Sequence, residues 1–232
     1  MRLYSYVLAV DDGAAPNPFG GVCTLTICKP AIRRTAEEGD WIVGLGPTNG
    51  PDGQDLSHHI IYAMRVSRKM KYADYDQYCR KYLTAKLPDW SPKAPFEHQV
   101  GDCLYELNSD GQLVQRRGVH NANNVQTDTY GVNALLAEEV FYYFGDRPVE
   151  LPSEFECIRH PYQGHKVNAN AGCKDAVIEW MLGGFGEDRR PRILYGRPIH
   201  RALVHPENDA ATWGVCGKKR AVSPAEEESG IC

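Results

Sequence analysis

The chain has 232 residues, a hydrophobic fraction of 42% and a formal net charge of −4, which suits one core-forming unit or such a unit with an extension. That charge argues against a general binder of phosphate backbones, but leaves room for a pocket holding one nucleotide or one extruded base. No stretch approaches the ~18 uninterrupted apolar residues of a membrane span, and the N-terminal apolar run lacks a small-residue cleavage site, so the expectation is a cytoplasmic protein with no membrane partner.

Residues 2–10, RLYSYVLAV, alternate like a first strand. DDGAAPNPFGG is dense in turn formers and reads as a loop. Pro30 suits the first turn of a short helix whose apolar face is Ile32 and Ala36, with Gly39 beyond its end. WIVGLG (41–46) reads as a buried strand and IIYAMRVSRKM (60–70) as the next one. Aromatic residues at 72, 75, 78 and 82 have helical spacing. Residues 86–102 are Pro-rich and irregular, and 103–117 form a hairpin with its turn at Asn108–Gly111. HNANNVQTDTYG (120–131) reads as a polar loop, and NALLAEEVFYYFGD as a short helix followed by a strand. CKDAVIEWMLGGFGE (173–187) is the clearest helix, stopped by Gly183-Gly184, and the chain from about 206 onward is polar and loosely held.

Eight cysteines at 23, 28, 79, 103, 157, 173, 216 and 232 contain no CxxC pair, so no zinc site of the usual kind is expected and reduced thiols are the default. The chain has no dinucleotide fingerprint, phosphate loop, nucleophile elbow or HExxH helix. His160 and His165 are separated by Pro161, and His58 and His59 point to opposite faces of a strand; no metal ligand is assigned. Two polar groups remain. Asn17, Phe19, Lys29, Arg33 and Arg34 flank the entry to a basic helix suited to a phosphate or carboxylate, although a solvated basic face explains them too. His120, Asn121, Asn124 and Asp128 form the second, where turn chemistry of Asn and Asp is the competing explanation.

The run APNPFGGVCTLTICKPAIRRTAEEGDWIVGLG, then IIYAMRVSRKMKYADY and FYYFG before a proline segment, resembles the second type of nucleotide-modification-associated domain over roughly residues 2–152. That family is associated with modified DNA bases in bacteria and phages, which implies a role but no reaction. A strand, a short helix, GDWIVGLG and a strand ending in AMRV are also similar to the opening of PUA-like domains of the EVE and ASCH kind. This second resemblance implies an α+β fold built on a PUA-like small β-barrel, with flanking helices and a C-terminal helical extension. It implies a base-binding cleft near Asn17, Phe19, Lys29 and Arg33, with Gly39, Asp40 and Trp41 as the turn.

The resulting division is a domain over 1–152, an extension over 153–205 packed on it, and a tail over 206–232. The expected ligand is a nucleotide or modified base, free or in DNA. Phe19, Trp41 and Tyr62 are candidates for stacking, although all three equally suit the core, with Asn17 and Thr26 for edge recognition and Lys29 and Arg33 for charge. An enzyme there needs a general acid or base, for which His120 and Asp128 are the candidates. No cofactor follows from the sequence. A non-catalytic reader of a modified base, and an interaction subunit with protein partners from a modification or phage-defence operon, are the rival readings.

Overall fold

The computed structural model describes residues 1–50, 53–160, 164–186 and 190–201. In chain order the elements are β1 (Leu3–Val7), β2 (Cys23–Leu25), α1 (Pro30–Thr35), β3 (Trp41–Leu45), β4 (His59–Arg65), β5 (Arg68–Lys71), α2 (Tyr72–Tyr82), α3 (Phe96–Gln99), β6 (Tyr105–Leu107), β7 (Leu113–Gln115), α4 (Val125–Gly131), β8 (Asn133–Ala137), β9 (Phe141–Tyr143), β10 (Val149–Glu150), β11 (His165–Lys166), α5 (Lys174–Leu182) and β12 (Ile193–Leu194).

The uninterrupted apolar run of β4 makes it a strand buried on both faces, with Ile60 through Met64 all inaccessible to solvent. It centres a seven-stranded mixed sheet in the order β11-β1-β3-β4-β9-β12, with β10 added to the end of β4. β1 and β3 run parallel, while β3, β4 and β9 alternate in direction. Pairing shifts from Gly44 with Tyr62 to Leu45 with Ile60, leaving Ile61 as a bulge. The Ile61 carbonyl instead accepts the N–H groups of Phe144 and Gly145. Gly44 is required for close approach, because a Cβ there would lie 2.4 Å from the Tyr62 ring.

Strand alternation divides the core into two layers. Leu3, Trp41, Val43, Leu45, Tyr142 and Phe144 face α5, whose Val177, Ile178 and Met181 cover them. Tyr4, Tyr6, Ile42, Met64, Phe141 and Tyr143 face α1 and the second sheet. That sheet, in the order β2-β8-β5, carries α2 on its outer side through Tyr75, Cys79 and Leu83.

The chain is thus α+β, but its strands form open sheets and no closed barrel is seen among the described residues. Residues 60–70 form two strands in separate sheets, β4 and β5, rather than one. The segment expected as a helix and strand is instead β8 followed by β9, each buried and each in a different sheet. The expected polar loop at 120–131 contains a 3-10 turn and α4. The reduced-thiol expectation is corrected at one place, where Cys157 and Cys173 are disulfide-bonded. Cys23, Cys28, Cys79 and Cys103 are thiols; Cys216, Cys232 and the expected loose tail lie outside the described residues. No helix among the described residues is long and apolar enough to cross a membrane.

Candidate thiol–imidazole–carboxylate site

β2 ends at Leu25, and the chain reaches α1 through Thr26–Lys29. Cys28 and Lys29 both adopt left-handed backbone, with φ of 56° and 38°. Two consecutive residues with side chains in this region carry strain that surrounding contacts must hold. Those contacts are explicit. The Cys28 N–H donates to Asp128 Oδ1 at 3.0 Å, and Arg33 Nε donates to the Cys28 carbonyl at 2.7 Å. Pro30 then starts α1 with its fixed φ and no N–H to satisfy.

The second arm comes from the β6–β7 hairpin and α4. The hairpin exit delivers His120, and the first turn of α4 delivers Asp128. Between them, the Asn121 side chain accepts the Asn123 N–H and the Asn121 N–H donates to Asn124 Oδ1. These asparagines are therefore the local turn chemistry, a capping box that starts the 3-10 turn at Ala122–Asn124 leading into α4.

The arms meet at three side chains. Cys28 Sγ lies 3.4 Å from His120 Nε2, and His120 Nδ1 lies 2.6 Å from Asp128 Oδ2. Asp128 is fully buried, His120 is 8% exposed and Cys28 is partly open to solvent. Burial alone would push the Asp128 carboxyl up. The charge and hydrogen bond of His120, then Arg33 and the Cys28 N–H, outweigh burial and hold it below its ordinary value. An ionised carboxylate only accepts, so His120 Nδ1 carries a proton and Nε2 is the ring nitrogen that faces the thiol.

Around this line the packing is dense. Tyr105 donates to Asp128 Oδ2 at 3.0 Å, and its ring stacks on Tyr72 at 5.0 Å between centroids. Burial, then the Asp128 charge, raises the Tyr105 phenol and keeps it a donor. Arg33 is fully buried, and its guanidinium donates to the Tyr72 hydroxyl and to the carbonyls of Cys28, Asp128 and Asn133. The Lys29 ammonium sits 4.7 Å over the Tyr6 ring.

The structure brings His120 and Asp128 to one place and adds Cys28, whereas the Lys29 ammonium lies over the Tyr6 ring. Arg33 belongs to the same place, but all its bonds run inward to the fold. The other candidates lie elsewhere. Asn17 is buried, donating to the Val100 carbonyl and accepting from Lys86 Nζ. Thr26 donates to the Asp102 carbonyl. Phe19 packs edge-on against Phe96, and Trp41 is in the α5-side core at 1% exposure. Sequence reasoning missed Cys28 because no short motif surrounds it. The available signal was a cysteine placed just before a proline-started helix, with a histidine and an aspartate in one distant polar segment.

A family model described as nucleotide modification associated domain 2 matches residues 1–203. No curated protein and no solved structure matches the chain.

Proposed function

The chain belongs to the nucleotide modification associated domain 2 family, and from that premise we propose that it is a thiol-nucleophile enzyme acting on a nucleotide or modified nucleic-acid base. One observation carries the reading: a partly exposed thiol faces an imidazole nitrogen whose partner nitrogen is held by a buried carboxylate. This is the arrangement by which a cysteine is activated and an imidazole is fixed in one tautomer.

In the proposed reaction His120 Nε2 takes the Cys28 proton, and the thiolate adds to an electrophilic sp² carbon of the ligand. Asp128 stabilises the imidazolium that forms. The imidazolium gives its proton to the departing group as the carbon–leaving-group bond breaks. A water, deprotonated by His120, then cleaves the carbon–sulfur bond and restores the thiol. The strained backbone at Cys28 supports the reading, since such strain gathers at functional positions.

The test is alkylation of Cys28 by iodoacetamide, read by mass spectrometry on the whole chain alongside Cys23, Cys79 and Cys103. Cys28 is expected to react fastest, and His120→Ala is expected to slow it by roughly 10²-fold, the usual scale of a base's contribution. Cys28→Ser should retain the wild-type melting behaviour while losing turnover of modified nucleosides or nucleotides. Equal alkylation with and without His120 would refute the assignment. Saturable binding with no product from any such compound would favour the reader over the enzyme.

A further inference from the structure

Two donors compete for one oxygen behind the imidazole. Asp128 Oδ2 accepts from His120 Nδ1 at 2.6 Å and from the Tyr105 hydroxyl at 3.0 Å, while Oδ1 accepts the Cys28 N–H at 3.0 Å. Both competitors belong to one hairpin: Tyr105 opens β6, and His120 follows the exit of β7. Tyr105 is 3% exposed, and its ring lies within 10° of parallel to that of Tyr72. Gln115, its cross-strand partner, donates through Nε2 to the Tyr105 hydroxyl at 3.3 Å and to the Asn121 carbonyl at 3.2 Å. The hydroxyl thus receives a proton from Gln115 and commits its own to Asp128. A hydroxyl that accepts in this way is polarised into a stronger donor.

The consequence falls on His120. A carboxylate stabilises an imidazolium through the charge on the oxygen that faces it. A phenol donating to that same oxygen draws charge from it and loosens the imidazole's hold on a second proton. The other charged and titratable groups on these elements act elsewhere. Arg33, from α1, donates to three backbone carbonyls and the Tyr72 hydroxyl, and to neither oxygen of the Asp128 carboxylate. Tyr72, from α2, donates to the carbonyls of Thr26 and Asp128, and burial raises its phenol. Cys28 meets the opposite nitrogen of the ring.

We propose that Tyr105 is a positioning residue that holds the Asp128 carboxylate and restrains the proton affinity of His120, an inference that rests on the thiol-enzyme reading. An imidazole backed by a carboxylate alone keeps its second proton to higher pH and is then unable to accept one from a thiol. The phenol offsets that pull, so that Nε2 is available as a base over a wider range around neutrality.

The experiment is a proton NMR titration of the His120 ring in the full chain, its signal identified by its loss in His120→Gln. Tyr105→Phe keeps the stacked ring and removes only the hydroxyl. It should raise the proton affinity of His120 by about three- to tenfold, the scale of one net hydrogen bond. A 3-fluorotyrosine in place of Tyr105, whose phenol is the stronger donor, should lower that affinity. Leu113→Ser, an exposed change on the same hairpin, should leave it unaltered. A purely structural role for Tyr105 predicts no such opposed pair of shifts. An unchanged or lowered affinity in Tyr105→Phe, or a raised or unchanged one with the fluorinated ring, overturns the proposal. Should Tyr105→Phe fail to fold, the sign of the shift with the fluorinated ring decides alone. The titration is read on the imidazole and needs no reaction at Cys28. Alkylation indifferent to His120 therefore refutes the thiol reading, while the opposed shifts still support the coupling of Tyr105 to His120. Alkylation that depends on His120, with no shift in either Tyr105 variant, strikes Tyr105 and leaves the thiol reading standing.

Discussion

At the scale of single residues, Asp128 joins stability to chemistry. One carboxylate oxygen fixes the backbone of Cys28 and the other fixes the imidazole and the Tyr105 phenol. Its carboxyl is depressed below the ordinary value of 3.8 in the fold, so the folded state favours the ionised form. The associated stabilisation is complete above about pH 4 and is lost as pH falls through the lowered folded value. Asp128→Asn should therefore melt lower than wild type at neutral pH, with the gap narrowing on acidification below pH 4. A gap that stays constant with pH would mean the charge is not the stabilising element. That His120 and Asp128 lie together was legible because they share one polar segment, eight positions apart. Cys28 was not, because its role depends on a meeting across 92 positions of sequence. Asn17 and Arg33 looked like ligand groups because the sequence does not record that the fold buries them among its own acceptors.

At the scale of elements, alternation and proline placement were readable and sheet membership was not. β1, β3, α1, α2, the β6–β7 hairpin and α5 follow from local periodicity and turn residues. β8 and β9 escaped because Glu138 and Glu139 sit in the short link where the chain passes from one sheet to the other, giving NALLAEEV the composition of a helix. Tertiary pairing overrides that propensity, placing β8 between β2 and β5. The bulge at Ile61 has a companion in Gly44, and that pair makes a direct prediction. Gly44→Ala pushes a methyl group into the Tyr62 ring, which is fully buried with its hydroxyl 2.8 Å from that of Tyr6. Overpacking of this kind should cost about 1–3 kcal/mol, read as a lower midpoint in urea with an unchanged slope. An unaltered midpoint would show that the β3–β4 register has slack the packing does not suggest.

At the scale of the whole molecule, the segment after residue 152 is part of the main sheet, since β11 pairs with β1 and β12 with β9. The Cys157–Cys173 bridge closes a loop with a sequence separation of 16 around β11. Such a loop contributes about 3 kcal/mol by restricting the unfolded chain. Reductant should thus lower the melting temperature by roughly 6–12 °C, and a variant with both cysteines changed to serine should melt at the reduced value and ignore reductant. Equal melting with and without reductant would mean the bridge adds nothing to the fold. The same topology has a bearing on synthesis. Every residue of the thiol site has been made by position 131, but the strands that close both margins of the sheet come last. A growing chain adds about 5–20 residues per second, so for some seconds the ribosome carries the segments bearing Cys28, His120 and Asp128 before the strands that cover the margins of the sheet exist. During that interval β1 and β9 are open to pairing with a neighbouring nascent chain on the same message. Translation speed through the last third of the coding sequence thereby bears on how much of this protein reaches its native fold.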